Sequence, residues 1–219
     1  MFTALKPASF IMPSMSLYKR ALRAPWKGWL ALTRVLNRAK FALEGAALGK
    51  GSVVEGKVYV RIDGEGSITA GKGLHVIGGY CRNRISRNEA SSLCTQGEGR
   101  IVIGEGVGIS SSCLWARKEI KIGDRTQIGA GCIILDHDAH SLDPVARTSS
   151  YEEDYCATAC EKVEIAQDVL LGTRCIILKG VTIGKGSVVG AGSVVSCDIP
   201  AGEVWAGNPA RFIKKLPAR

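Results

Sequence analysis

Residues 163–199 read VEIAQDVLLGTRCIILKGVTIGKGSVVGAGSVVSCDI, and this stretch repeats with a period of six. A large aliphatic residue recurs at each repeat, at Ile165, Leu171, Ile177, Ile183, Val189 and Val195. A step of six is neither the roughly 3.6-residue period of an α-helix nor the simple alternation of a strand. It predicts a solenoid of short strands joined by corners, in which each strand turns one aliphatic side chain inward.

The same period occurs earlier in the chain. Ile103, Ile109 and Trp115 form one run, and Ile122, Ile128 and Ile134 form another. Three strands per turn would make a triangular prism, so the predicted fold class is an all-β solenoid over residues 46–206, with a tail at 207–219. Four places after each aliphatic residue of the column stands a small or β-branched residue, such as Val169, Cys175 or Ser187. We therefore predict that three cysteines at such places are buried in the core, namely Cys113, Cys132 and Cys175.

Charge is concentrated at the N-terminus of the 219-residue chain. Residues 1–43 hold eight basic and no acidic residues, whereas the rest hold 21 basic and 20 acidic ones, so this segment accounts for +8 of the net charge of +9. The near-neutral body argues against a nucleic-acid-binding domain. Lys6 and Pro13 interrupt the apolar N-terminus, and no apolar run approaches the ~20 residues of a bilayer span. We expect a reduced, cytoplasmic protein.

The basic arm, residues 1–45, is predicted to be helical from residue 14, with a break or restart at Pro25. Its apolar face consists of Trp29, Leu32, Leu36, Ala39 and Leu43, and Lys27, Arg34 and Arg38 lie roughly opposite. Three uses of the arm remain open. It packs on its own solenoid or a neighbouring subunit, it binds an anionic membrane surface through residues 14–45, or it is a cleaved transit peptide.

The repeat stops after Ile134–Leu135 and resumes at Val163–Ile165. A loop as long as residues 136–162 in a tight solenoid is typical of a functional segment. It holds two of the three histidines, His137 and His140, with Asp136, Asp138 and Asp143 close in sequence. A histidine beside carboxylates is how a general base is often built. The alternative is a solvated loop with incidental histidines.

The repeat, the loop sequence DHDAHSLDPVAR at 136–147, and ILKGVTIGKGSVVGAGSVVSCDIPAGEVWAGNPARFIKKL at 177–216 resemble the hexapeptide-repeat acyltransferases. Within that family the sequence resembles the maltose and galactoside O-acetyltransferases and the surface-polysaccharide acetyltransferases, over residues 100–216. The resemblance implies a left-handed parallel β-helix and a homotrimer with active sites between subunits. It also implies transfer of an acetyl group from acetyl-CoA to a hydroxyl, with no metal required.

The same resemblance implies a catalytic role for His140, which opens the segment HSLDP at 140–144 as the catalytic histidine does in the family. A sugar hydroxyl is a poor nucleophile until a base removes its proton, and a neutral imidazole, whose ordinary pKa is about 6.5, suits that task. We predict that Asp138 or a backbone carbonyl holds the other ring nitrogen. His137 has no counterpart in the family and is interpreted as a loop residue.

The family's coenzyme A site matches positions on the later coils. These are Gly172, Thr173, Arg174, Gly190, Ala191, Ser196, Arg211 and Lys214. Corner geometry alone would also explain the glycines. Two positions depart from the family: Cys197 stands where relatives often have lysine, and Ser110 stands where they often carry an asparagine below the histidine. We expect Ser110 to bind the acceptor through its hydroxyl.

These features favour an acetyl-CoA-dependent O-acetyltransferase that modifies a saccharide in surface-polysaccharide or lipopolysaccharide biosynthesis. The basic arm suggests a peripheral location on the inner face of the plasma membrane. Three alternatives remain. The same machinery could act on an amino-sugar nitrogen or on serine, the fold could carry a metal enzyme like the carbonic anhydrases built on it, or the chain could be a non-catalytic scaffold.

Overall fold

The computed structural model describes residues 14–79, 85 and 89–217, with the backbone alone for residues 14–26. Three sheets, labelled A, B and C, contribute one strand each to a coil. Sheet A holds β1 Ala47–Leu48, β4 Ser67–Ala70, β7 Arg100–Ile103, β10 Glu119–Ile122, β13 Val163–Ile165 and β16 Thr182–Ile183. Sheet B holds β2 Val53–Gly56, β5 His75–Gly78, β8 Gly108–Ser110, β11 Gln127–Ile128, β14 Leu170–Leu171, β17 Val188–Val189, β19 Glu203–Ala206 and β20 Arg211–Lys215. Sheet C holds β3 Val58–Asp63, β6 Ser91–Gln96, β9 Cys113–Ala116, β12 Ile133–Leu135, β15 Ile176–Ile177 and β18 Val194–Val195.

The chain runs from sheet A to B to C and back, so each coil has an AB, a BC and a CA corner. All strand pairs are parallel except β19 with β20. The six aliphatic residues of the column at 165–195 are fully buried, which confirms the predicted solenoid core. Val58, Leu93 and Leu114 continue the core toward the N-terminal coils. Their burial removes apolar surface from water, and this provides the main stabilisation of the prism.

Strand β9 departs from the predicted pattern. Leu114 and Ala116 face the core with no exposed surface, whereas Cys113 and Trp115 lie on the outer face and are half-buried. The step from Ile109 to Leu114 is five residues, which moves the inward position by one. The predictions that Trp115 continues the column and that Cys113 is a core residue are therefore wrong, while Cys132 and Cys175 are buried as predicted.

The predicted loop leaves the prism at a CA corner, between β12 and β13. It contains two short helices, α2 Pro144–Ser149 and α3 Tyr151–Ala157. Asp143 accepts the N–H of Val145 and caps α2, and Ser150 accepts the N–H of Glu153 and caps α3. The loop starts from a fixed point, because the carboxylate of buried Asp136 accepts the backbone N–H groups of Arg117 and Lys118, both at 2.8 Å.

The arm forms one continuous helix, Ser14–Leu43, and it is labelled α0 because it precedes the coil. The predicted break at Pro25 is wrong. Proline removes one backbone donor, and the remaining hydrogen bonds of this 30-residue helix carry it past that position. The first 13 residues lie outside the described part of the chain.

Helix α0 docks on the open N-terminal end of the prism through a face that hydropathy does not predict. Leu30, Thr33, Asn37 and Phe41 are buried there, and Asn37 donates to the carbonyls of Val54 and Gly56 at 3.2 and 3.0 Å. Thr33 Oγ1 accepts the N–H of Gly56 at 3.1 Å. Strand β2 is the first of sheet B, so its outer backbone groups need partners that an apolar face cannot supply.

The predicted tail, residues 207–219, is partly a strand. Strand β20 pairs antiparallel with β19 and extends sheet B at the C-terminal end of the prism, with Trp205 and Phe212 in edge contact. Residues 79–90 connect β5 to β6 at the BC corner, and most of them lie outside the described residues.

Candidate active site

His140 lies on the excursion between β12 and α2, with 71% of its side chain exposed. Its Nδ1 is 2.6 Å from Oδ2 of Asp154 on α3. The second oxygen of Asp154 accepts the backbone N–H of Ser141 at 2.6 Å. The hydrogen bond with His140, and then the Ser141 N–H, hold the pKa of the Asp154 carboxyl below its usual range. Asp154 is therefore an ionised acceptor at neutral pH.

The contact with Asp154 determines which ring nitrogen of His140 is free to accept a proton. An ionised carboxylate only accepts hydrogen bonds, so Nδ1 must donate its proton to Asp154. In the neutral ring Nε2 is then the acceptor nitrogen, which is the form that a general base requires. The prediction that Asp138 or a backbone carbonyl orients His140 is wrong, because Asp154 occupies that position.

Asp138 has a different partner. Its Oδ1 lies 2.5 Å from Nζ of Lys179, which follows β15 at the CA corner one coil later. Its backbone N–H donates to the carbonyl of Ala159 at 3.2 Å. Asp138 thus ties the turn before His140 to the prism through its ion pair with Lys179.

Helix α3 is held against the prism by Arg117, at the CA corner one coil before the excursion. The Arg117 guanidinium lies 3.4 Å from the centre of the Tyr155 ring, and its Nη2 donates to the Tyr155 carbonyl at 2.6 Å. Thr158 Oγ1 donates to the carbonyl of Asp154 at 2.6 Å. These contacts fix the backbone of Asp154, so the carboxylate that orients His140 is itself positioned by the coil.

His137 is a buried structural residue, 2% exposed, with its ring edge-on to Trp115 at 4.5 Å between centroids. Its Nδ1 accepts the N–H of Ala139 at 2.9 Å. Ala139 has φ +49°, a left-handed conformation that costs energy for a residue with a side chain. Burial, and then the charge of Arg117, lower the pKa of His137 from 6.5 to about 4. The neutral ring therefore supports the turn that leads to His140.

We expect this histidine to make the fold sensitive to acid. The unfolded chain binds a proton at His137 near pH 6.5 and the folded chain only near pH 4, so stability falls as pH falls through that window. The wild type should lose about 3 kcal/mol of unfolding free energy across it relative to His137→Asn, whose side-chain oxygen can still accept the Ala139 N–H. Denaturant unfolding at several pH values measures this difference. The matched control is His75→Asn, at an exposed histidine on β5, and parallel curves for the wild type and His137→Asn would contradict the prediction.

The residues predicted to bind coenzyme and acceptor lie mostly at another corner from His140. Ser110 is the last residue of β8, and Gly172, Thr173, Arg174, Gly190 and Ala191 directly follow β14 and β17, so all six lie at the BC-corner end of sheet B. Ser196 follows β18 and lies at the CA corner, on the side of His140. Arg211 and Lys214 lie on β20. Sheet C separates the two corners, so one chain alone does not bring His140 to the predicted coenzyme residues of the BC corner.

The BC corner combines tight stacking with exposed positive charge. A Cβ on Gly172 would lie 2.5 Å from the backbone nitrogen of Ala191, and one on Gly190 would lie 2.7 Å from Cβ of Ala206, so coil stacking alone requires both glycines. Arg174 is exposed at this corner, and Arg211 reaches it because it pairs with Ala206 at the end of β19. Guanidinium groups suit phosphates, so this donor set fits coenzyme A.

In the part of the chain that the structure describes, no three histidine, cysteine, aspartate or glutamate side chains are placed to share a metal ion. His75 lies on β5 in sheet B, whereas His137 and His140 lie beyond β12 in sheet C. The three histidines that the carbonic-anhydrase alternative requires are therefore not brought together within one chain.

A family model described as bacterial transferase hexapeptide (six repeats) matches residues 162–197. Two curated relatives are 2,3,4,5-tetrahydropyridine-2,6-dicarboxylate N-acetyltransferases. The one from Clostridium perfringens is 45% identical over 89 residues, which cover 41% of this chain and 30% of the relative. The one from Staphylococcus aureus is 34% identical over 93 residues, which cover 42% of this chain and 32% of the relative. The matched region thus spans about a third of the length of these relatives.

A solved structure similar in fold is a point mutant of AntD, an N-acyltransferase from Bacillus cereus, in complex with dTDP-4-amino-4,6-dideoxyglucose and coenzyme A. It is 19% identical, has a TM-score of 0.62, and the match covers 84% of this chain and 88% of that one. At this identity the likeness concerns the fold. Together with the coil geometry and the family match, it shows that the chain contains the bacterial transferase hexapeptide repeat and has a left-handed parallel β-helix fold.

Proposed function

We propose that the chain transfers an acetyl group from acetyl-CoA to a hydroxyl of a saccharide, with His140 as the general base. The observation that carries this proposal is the pair of His140 and Asp154, 2.6 Å apart on the excursion from the β-helix. Its chemistry is that of a base whose second nitrogen is held by an ionised carboxylate. The exposed ring of His140 leaves room for an acceptor.

The proposed transfer needs no reactant other than acetyl-CoA and the acceptor. Nε2 of His140 takes the proton of the acceptor hydroxyl while its oxygen attacks the thioester carbonyl carbon. The carbon–sulfur bond then breaks, and the sulfur of coenzyme A leaves with the proton that the imidazolium returns. Asp154 stabilises the imidazolium between these two events, because its negative charge lies beside Nδ1.

A second candidate is transfer to an amino group. It is supported by the curated relatives, since the two described above are N-acetyltransferases. The same base would serve, because an amine must also lose a proton when it becomes an amide.

Thiol release from acetyl-CoA, measured with a panel of nucleotide-linked sugars and amino sugars, tests the proposal. Mild alkali then separates the two candidates, because it cleaves an acetyl ester and leaves an amide intact. Acceptor-dependent release with an alkali-labile product supports O-acetylation, and an alkali-stable product supports the second candidate. Absence of coenzyme A binding in calorimetry would contradict both.

We further propose that the active site forms in a homotrimer, between the CA corner of one copy and the BC corner of the next. The outward row of sheet C supports this proposal because it is apolar: Cys113, Ile133, Ile176 and Val194 follow one another in register. The outward residues of sheet A at the same level are Lys121, Glu164 and Thr182. Packing a second copy on sheet C would bury the apolar row and place the coenzyme residues near His140.

Ile176→Lys should therefore disrupt the trimer, because it buries a charge in the apolar row. The expected result is a shift from trimer to monomer mass in light scattering, with loss of thiol release. The matched control is Thr182→Lys on the outer face of sheet A, which should leave both unchanged. A trimer of unaltered mass in the Ile176→Lys variant would refute this interface.

A further inference from the structure

The outer face of helix α0 is not used by the proposed reaction. Leu32 is 55% exposed, Val35 67%, Leu36 51% and Leu43 88%. With successive residues about 100° apart on a helix, these four side chains form one stripe, which lies nearly opposite the docked face of Leu30, Asn37 and Phe41. We call it the outer stripe. The structure therefore turns a mixed face of the arm, which includes Asn37 and Phe41, toward the prism, and turns the predicted apolar face away from it.

Basic residues border the outer stripe on both sides. By the same helical geometry, Arg38 lies next to Val35 at one edge of the stripe, and Lys40 lies next to the opposite edge. Arg34 pairs with buried Glu55. Among the described residues, Lys27, Arg38 and Lys40 form no ion pair. No acidic residue occurs in the first 43 positions. The face thus combines apolar side chains with uncompensated positive charge.

A cavity of about 220 Å³ opens beside this stripe, between the helix and the first coil. Arg34, Arg38 and Ser52 line it together with apolar Val35 and Val53. The guanidinium of Arg38 above an apolar wall matches a phosphate headgroup attached to an acyl chain. In the described part of the chain, no helix is both long and apolar enough to cross a bilayer.

We infer that helix α0 lies in the surface of an anionic lipid bilayer, with the outer stripe at the acyl boundary and the flanking basic side chains at the headgroups. Charge complementarity favours this occupant over a second copy of the chain, because two copies packed stripe to stripe would bring their basic borders together. The inference is independent of the proposed reaction, and it places the excursion with His140 on a protein held at a membrane surface.

The test is flotation of the full chain with vesicles of phosphatidylcholine alone or with about a quarter of phosphatidylglycerol. We expect the wild type to bind the anionic vesicles and to be released by high salt, because surface attraction is screened. Leu32→Glu/Leu36→Glu should lower the partition coefficient at least about 10-fold. The matched control is Leu142→Glu/Val145→Glu, which adds the same charge at exposed apolar residues of the excursion.

Light scattering and circular dichroism of each variant complete the experiment. Binding that is lost in the stripe variant alone, with unchanged mass and helicity, supports the inference. Three results would overturn it: no binding of the wild type to anionic vesicles, equal binding by the stripe variant, or a change of oligomeric mass in that variant, which would assign the stripe to a second copy.

Discussion

His140→Ala should lower acceptor-dependent release of coenzyme A thiol by about 100-fold or more, within the usual range for losing a general base. The variant keeps Asp154 and the coil, so the reason for the loss is the absence of a proton acceptor at the position of Nε2. The turnover number should therefore fall, while the dissociation constant of acetyl-CoA, measured by calorimetry, stays close to that of the wild type.

The matched control for this variant is His75→Ala. His75 is exposed on β5 in sheet B, away from the CA corner, and its loss should leave the rate within about twofold, as for most surface substitutions. Equal turnover in His140→Ala and the wild type would remove His140 from the mechanism. A loss of acetyl-CoA affinity that accounts for the whole change would make it a binding residue.

Asp154→Asn is expected to have the second largest effect, a loss of about 100-fold in turnover. The asparagine side chain can accept the Ser141 N–H through its oxygen and present its amide N–H₂ to Nδ1 of His140. The ring would then accept at Nδ1 and carry its proton on Nε2, which is the wrong form for a base. Acceptor-dependent thiol release measures the loss, and nitrogen NMR of the histidine ring reports the tautomer directly.

The Asp154→Asn substitution should also alter how the stability of the fold depends on pH. Because the pKa of Asp154 is lowered in the fold, its ionised form contributes stability above the unfolded-state pKa of about 3.9, and that contribution disappears as pH falls through the folded value. The stability difference between the wild type and Asp154→Asn should therefore be present at pH 7 and vanish in acid. Glu152→Gln, an equal charge change at an exposed position of α3, is the control. A wild-type tautomer with full turnover in Asp154→Asn would refute the orienting role.

The sequence was sufficient for the parts of the structure that depend on local periodicity. Ile165, Leu171 and Ile177 predict the inward column because a coil repeats its geometry every six residues, and all three are buried. The limits of the excursion follow from the same signal, since β12 and β13 end and begin where the repeat stops and resumes. At β9 a corner shorter by one residue was enough to reverse which side chains face inward.

The partner of His140 could not be read from spacing. Asp154 is 14 residues away, and it reaches the ring only because α3 folds back along the prism. Asp138, two residues from His140, is closer in sequence but is drawn to Lys179 on the next coil. Ser150 caps the start of α3, but nothing in the local sequence relates that helix to the histidine.

By itself the sequence determined the prism, its buried column, the place of the excursion and the histidine on it, because each depends on residues that are neighbours along one coil. Tertiary structure alone decided three further features: the carboxylate beside His140, the separation of His140 from the BC corner by sheet C, and the outward turn of the arm's apolar face. The physical reason is the same in each case. Backbone groups and charges must find partners between coils, and those partners are set by stacking and not by sequence distance.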